Sequence, residues 1–248
     1  MIKWSHAPYL WGNLWKFGGF PEPFLKAEEV FCNRWQNLKH EQLFREDLRD
    51  LNKVSEVSRC EILAEILRVQ AGQLVNFSIL AKKIQVANTT IRRWVDVLEL
   101  LYYCFLIRPW TKNIARSLLK EPKCYLWDFS LVENKGQRFE NFVALHLLKA
   151  VHYWTDTGLG NYKLYYLRDK EQREVDFLIS KNDEPWMLVE AKLSGNTHIS
   201  KSLLHFQKQL NAKHVFQVAF DLPYVNKDCF KLKKPMIVPA KTLLSQLV

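Results

Sequence analysis

Two runs of alternating polar and apolar residues, 174–180 and 186–192, flank Lys181-Asn182-Asp183-Glu184-Pro185, and this pattern constrains the fold more than any other part of the chain. Alternation with a period of two marks strands, and a connection of this length and composition joins them as an antiparallel hairpin. Centred on Asp183, the hairpin sets Asp176 against Glu190 and Glu174 against Lys192. Strand alternation then gathers these four on one face and leaves Val175, Phe177, Ile179, Met187, Val189 and Ala191 on the other, an apolar surface suited to packing under a helix.

The neighbouring segments complete a domain around the hairpin. Residues 137–151 read as a strongly apolar helix, 163–167 as a strand, 199–210 as a helix and 215–220 as a further strand. Helix, three strands, helix, strand describes a small mixed sheet covered by helices. A boundary is expected within residues 131–136, which gives a C-terminal domain over 131–248.

The N-terminal half reads as helical. Residues 1–26 end in the turn-prone Gly18-Gly19-Phe20-Pro21-Glu22-Pro23. From 27 to 54, Val30, Phe31, Trp35, Leu38, Phe44, Leu48 and Leu51 recur at spacings of mostly three to four, the pattern of two amphipathic helices. These make a helical region over 1–57. Over 58–130 the sequence predicts a helix at 59–70, a short helix capped by Ser78 and ending at Ile84, the connection Gln85-Val86-Ala87, and a longer helix capped by Asn88. Short helix, three-residue turn and basic helix form a helix-turn-helix pattern, with 104–110 and 123–127 as the two strands of a wing. In that arrangement Thr89, Thr90, Arg92 and Arg93 face a DNA duplex while Ile91, Val95 and Leu98 pack inward. The alternative is a helical adaptor whose arginines are merely solvated.

The formal net charge is +10 and is unevenly distributed. Residues 192–248 carry nine basic side chains against two acidic, and residues 78–123 nine against three. Such segments attract phosphate backbones through counterion release, which points to a nucleic-acid partner. Other classes find no support. No apolar run reaches the roughly 18 to 20 residues of a membrane helix, and no signal peptide is recognisable, so a cytoplasmic location without a membrane partner is expected. The five scattered cysteines suit reduced, buried thiols. Phosphate-binding glycine loop, nucleophile elbow, zinc motif and dinucleotide fingerprint are all lacking, and His198 and His205 read as surface or packing residues.

Two opposed carboxylates repel unless solvent, a proton or a cation intervenes. A divalent ion does this well: Mg²⁺ or Mn²⁺ takes one or two protein carboxylates and completes its shell with water and substrate phosphate. Asp176 and Glu190 are the expected metal ligands, with Lys192 placed to orient the attacking water or stabilise developing charge. Exposed acids and a lysine in surface ion pairs are the simpler alternative.

Asp176 followed by Glu190-Ala191-Lys192 is similar to the Asp...Glu-x-Lys signature of the PD-(D/E)XK nuclease superfamily. More closely, the chain resembles the C-terminal region of a large prokaryotic family of AAA-type ATPases that ends in domain of unknown function 4143. The matching segments are Gly18-Gly19-Phe20-Pro21-Glu22, Arg45-Glu46-Asp47-Leu48, the helix-turn-helix, Lys123-Cys124-Tyr125-Leu126-Trp127-Asp128, Phe139-Glu140-Asn141, Glu174-Val175-Asp176-Phe177 and Val189-Glu190-Ala191-Lys192. The resemblance implies an α/β (α+β mixed) chain, in which a winged-helix-like region precedes a restriction-endonuclease-like mixed sheet flanked by helices. It also implies that Glu140 is a further acid of the catalytic site, pointing toward the metal, and that Gln207 occupies a position that is polar in some members. The ATPase domain that usually comes first is lacking here, so a separate ATPase subunit is an expected partner.

Two functions follow as expectations. One is metal-dependent hydrolysis of DNA phosphodiesters, with catalytic residues Asp176, Glu190, Lys192 and Glu140. The other is a non-catalytic module that binds DNA or an ATPase partner through an inactive nuclease fold.

Overall fold

The computed structural model describes residues 7–48, 56–111 and 120–248. Contacts divide the chain into two compact units: Met1–Phe105 with Cys124–Glu133, and Leu106–Lys123 with Asn134–Val248. The helical N-terminal segment and the helix-turn-helix segment thus share one unit, and the mixed sheet dominates the other. No helix among the described residues is long and apolar enough to cross a membrane.

In the first unit, α1 (Ala7–Phe17) ends at Gly18 and α2 (Pro21–Lys26) starts with proline in its first turn, where a missing N–H costs nothing. Gly18 has φ +86°, and a Cβ there would lie 2.9 Å from Asp128 Oδ1, so both conformation and space call for glycine. Residues 29–48 form one continuous helix rather than two: α3 (Glu29–Glu41) runs on as a π-helical segment, Gln42–Asp47, with Leu43 and Phe44 buried. The rest of the second expected helix lies outside the described residues.

After α4 (Val57–Val69) come α5 (Phe77–Ile84) and α6 (Asn88–Leu100). The connection is Gln85-Val86-Ala87 as read from the sequence, with Gln85 left-handed at φ 59° and its N–H donated to the Ala81 carbonyl. The caps differ from expectation. Asn76, not Ser78, caps α5 by accepting from the Ile79 N–H, and Ser78 lies inside the helix. Asn88 caps nothing, because its amide donates to Ser78 Oγ and its carbonyl accepts from Arg92 Nε. Ile91, Trp94, Val95, Val97 and Leu98 form the buried stripe of α6. Strands β1 (Cys104–Ile107) and β2 (Lys123–Leu126) do pair, but every residue of β2 is buried. The 112–119 segment that joins them, where the tip of a wing would fall, lies outside the described residues.

The second unit holds a five-stranded sheet in the order β3 (Tyr162–Arg168), β4 (Glu174–Lys181), β5 (Glu184–Lys192), β6 (His214–Ala219), β7 (Met236–Pro239). The first three strands are antiparallel and the last three parallel. The long helix α7 (Lys135–Asp156) precedes β3, its N-terminus capped by Asn134, whose side chain accepts from the Gly136 and Gln137 N–H groups. Helix α8 (Lys201–Leu210) crosses between β5 and β6, and the short α9 (Ala240–Leu244) follows β7.

The β4–β5 turn is tighter than expected. It consists of Asn182 and Asp183 alone, both with positive φ (52° and 65°), the two-residue type whose twist suits a hairpin. A register shift between Ile179 and Ser180 leaves Trp186 as the extra residue, stacked on Phe230 and edge-on to Trp154, Tyr162 and His214. Both faces of the hairpin are covered. Leu178 and Leu188 pack under Leu203 and Phe206 of α8, while Phe177, Ile179, Met187 and Val189 are equally inaccessible.

Candidate active site

The site forms where β4 and β5 part company. Their pairing holds Ile179↔Met187, Leu178↔Leu188 and Phe177↔Val189, and one further step in the same register faces Asp176 with Glu190. There the ladder ends. Glu174 and Val175 continue to pair with β3, and Glu190, Ala191 and Lys192 with β6. Asp176 closes the gap with its side chain: Oδ2 accepts the Ala191 N–H at 2.9 Å, a bond the diverging backbones no longer make. The divergence also overturns the expected Glu174–Lys192 pairing. Glu174 turns to Lys123 (2.7 Å) and Arg168 (2.9 Å), whereas Lys192 Nζ sits 2.9 Å from Glu190 Oε1.

The carboxylates are graded in depth. Side-chain exposure is 8% at Glu190 and 15% at Asp176, against 43% at Lys192, so the lysine stands at the mouth with the acids behind it. Burial raises the pKa of Asp176, opposed chiefly by the Lys123 and Lys192 charges and the Ala191 N–H. Burial likewise raises Glu190, followed by repulsion from Asp176, and Lys192 opposes both. At Lys192 burial acts to lower the pKa, but the hydrogen bond to Glu190 and the Glu190, Asp176 and Glu140 charges outweigh it, and the ammonium is held above its usual range. Glu190 Oε2 is shut off from solvent and has no hydrogen-bond partner among the described residues.

A divalent ion fits these groups. An orphaned buried carboxylate oxygen beside a second acid offers hard oxygen ligands and lacks positive charge. Among the described residues no three His, Cys, Asp or Glu side chains converge in metal-binding geometry. Asp176 and Glu190 are the two carboxylates that could hold such an ion, which commonly takes one or two from protein.

Glu140 of α7 reaches the same cluster, but its partner is Lys123 Nζ at 3.0 Å. Lys123 was not singled out by sequence reasoning for this site. It lies 17 residues before Glu140 on another element, and no local spacing rule connects the two. Gln207 on α8 is half-buried. A second polar residue, Gln217, is fully buried on β6 directly across from Glu190.

Thr89, Thr90, Arg92 and Arg93 belong to the first unit, in the first two turns of α6. Thr89, Arg92 and Arg93 are exposed and Thr90 is half-buried. Arg92 is held locally, its Nε donating to Asn88 Oδ1 at 2.9 Å and its guanidinium lying 4.2 Å from the Phe77 ring centre. Arg93 forms no ion pair with any described residue, so the two arginines differ in what they can offer a ligand.

A family model described as domain of unknown function DUF8612 matches residues 9–138, just over half of the chain, and the chain belongs to that family. A second model, domain of unknown function DUF4143, matches residues 135–234, the segment that carries the carboxylate cluster. Two uncharacterized proteins, from Mycobacterium tuberculosis and Mycobacterium bovis, are each 26% identical to the chain over 206 residues, 77% of this chain and 45% of theirs. The chain spans less than half the length of these relatives. No solved structure matches it.

Proposed function

We propose that this DUF8612 family member is a metal-dependent nuclease-like protein, whose sheet unit is of the PD-(D/E)XK type and hydrolyses DNA phosphodiesters. The observation that carries this reading is the pair Asp176 and Glu190 at the parting of β4 and β5, with Glu190 Oε2 buried and unpartnered among the described residues. Asp176 and Glu190 would hold Mg²⁺ or Mn²⁺, which supplies Lewis-acid activation of a water and of the scissile phosphate. Lys192, kept protonated by Glu190, cannot accept a proton. Its role is to orient the water through Nζ–H and to offset charge developing on the phosphate oxygens. The buried acids exclude bulk water behind the mouth, which strengthens each of these interactions. In the same proposal the helix-turn-helix, through Thr89, Thr90 and Arg93, adds sequence-independent affinity for DNA, and a separate ATPase subunit is the partner that presents substrate.

One observation favours a second reading, a non-catalytic DNA- or ATPase-binding module: Glu140 is already engaged by Lys123 rather than open toward a metal. Cleavage of supercoiled, linear and single-stranded DNA with Mg²⁺ or Mn²⁺ separates the two. Wild-type protein is expected to cut, and Lys192→Ala to bind DNA within a few-fold of wild type without cutting, since one phosphate contact is a small part of such an interface. Binding without cleavage by the wild type on every substrate, also with a partner ATPase and ATP present, would establish the binding module instead.

A further inference from the structure

Lys123 is a buried ammonium in the middle of the carboxylates. Its side chain is 4% exposed, and Nζ lies 2.7 Å from Glu174 Oε1, 3.0 Å from Glu140 Oε1 and 3.9 Å from Asp176 Oδ1. Its placement is enforced from both sides. Tyr166, buried on β3, donates its hydroxyl to the Glu121 carbonyl at 2.6 Å, and its ring centre is 5.9 Å from Nζ. The Tyr166 backbone also pairs with residues 108–110, accepting from the Trp110 N–H at 2.9 Å and donating to the Arg108 carbonyl at 3.1 Å. A long flexible side chain is thus brought into the site by a segment anchored before it and by the acids around its tip.

The charges divide accordingly. Glu174 receives two cations, Lys123 and Arg168, and Glu140 receives Lys123. Asp176 lies too far from Nζ for a hydrogen bond, though it still feels the Lys123 charge, and among the described residues the ion pair of Glu190 is with the half-exposed Lys192. Direct hydrogen-bonded contact with Lys123 is thus made by Glu140 and Glu174, while Asp176 meets it only at 3.9 Å and the Glu190 ion pair is with Lys192.

We propose that Lys123 is a built-in counter-ion that splits the cluster, committing Glu140 and Glu174 to an internal ion-pair scaffold and restricting the divalent site to one ion on Asp176 and Glu190. This rests on the metal reading above and changes the part assigned to Glu140. Glu140 is a positioning residue that holds Lys123, not a metal ligand. A buried charge whose partner is removed is left uncompensated, so the two sides of the cluster respond oppositely to mutation.

The test is Mn²⁺ binding to the full chain, followed by calorimetry and by the melting temperature with Mn²⁺ or with chelator. Wild type is expected to take one Mn²⁺, and Glu140→Gln to keep that affinity within about twofold, whereas loss of a true ligand or of a group orienting one costs roughly 10- to 100-fold. Lys123→Met, with its acids uncompensated, is expected to melt below wild type in chelator and to recover with Mn²⁺, binding it at least tenfold more tightly or at a second site. Should Lys123→Met fail to fold, Glu140→Gln alone decides the matter. A tenfold loss of Mn²⁺ affinity in Glu140→Gln, or a folded Lys123→Met with wild-type stoichiometry and affinity, would overturn the proposal. Absence of Mn²⁺ binding by the wild type, together with a Mn²⁺-dependent rise in melting temperature for Lys123→Met, would sink the nuclease reading and leave the counter-ion role standing.

Discussion

Replacing Gln217 with alanine should loosen the loop that follows the Glu-x-Lys motif, by an amount the structure lets one work out. Gln217 is fully buried on β6 beside Glu190. Its Oε1 accepts the Ser200 N–H at 2.8 Å, and its Nε2 donates to Thr197 Oγ1 at 2.9 Å and to the His198 carbonyl at 3.2 Å. The start of the 193–200 loop is held separately by Asp221, whose side chain accepts the Gly195 N–H at 2.7 Å and whose N–H donates to the Leu193 carbonyl at 3.2 Å, whereas Asn196, Thr197 and His198 are exposed, the last two held by Gln217. Three hydrogen bonds at about 1 kcal/mol net each, lessened where loop groups rehydrate and increased by the cavity left behind, give a loss of about 2–4 kcal/mol. Urea unfolding of the variant should show this loss, and hydrogen exchange should rise at residues 197–200 well before the β5–β6 ladder is affected. A loss below about 1 kcal/mol with unchanged exchange in that loop would refute the clamp.

Three further outcomes follow from the charges. Because Asp176 and Glu190 carry raised pKa values in the fold, they bind protons there that the unfolded chain releases, so chelated protein should lose stability as pH rises from the ordinary carboxylate range through the raised values. Glu190→Gln should flatten that decline, seen as a smaller pH dependence of the urea midpoint; a midpoint that falls below wild type above this range would contradict the assignment. Mn²⁺ affinity, measured by calorimetry, should increase with pH across the same window because the ligands must be ionised, and a flat profile would remove them as ligands. Arg93→Ala should weaken DNA binding and lower the salt slope by roughly one unit, whereas Arg92→Ala, already tied to Asn88 and Phe77, should do less; equal effects would refute that ranking.

Much of this architecture was legible from local pattern. Alternation at 174–180 and 186–192 yields β4 and β5 and brings Asp176 beside Glu190, and apolar spacing yields α6 with Ile91, Val95 and Leu98 inside. Features that depend on distant parts of the chain were not legible. β7 is only Met236–Pro239, too short to carry a period. The misassigned caps at Ser78 and Asn88 show the limit of reading residue type alone, since Asn76 competes for the same N-terminus and Arg92 for the Asn88 carbonyl. The ribbon 104–107 and 123–126 reads as strand from its apolar content, and that content equally predicts the burial of its residues.

Lys123 and the parting of β4 from β5 share a physical origin. A hairpin continued in perfect register would have placed Glu174 against Lys192 and neutralised the pair at the surface. Instead β4 stays with β3 and β5 with β6, so each acid must find its counter-charge elsewhere. Glu174 finds two and Asp176 a distant one, while one oxygen of Glu190 has no hydrogen-bond partner among the described residues. Such an arrangement works against stability, because buried charges recover their hydration only when paired with good geometry and apolar substitutes of similar volume commonly do as well or better. Desolvated acids with raised pKa values, grouped at a strand divergence with a cation at the mouth, are what the proposed metal site would need, and only the Asp176 bond to the Ala191 N–H also serves the sheet itself among the described contacts.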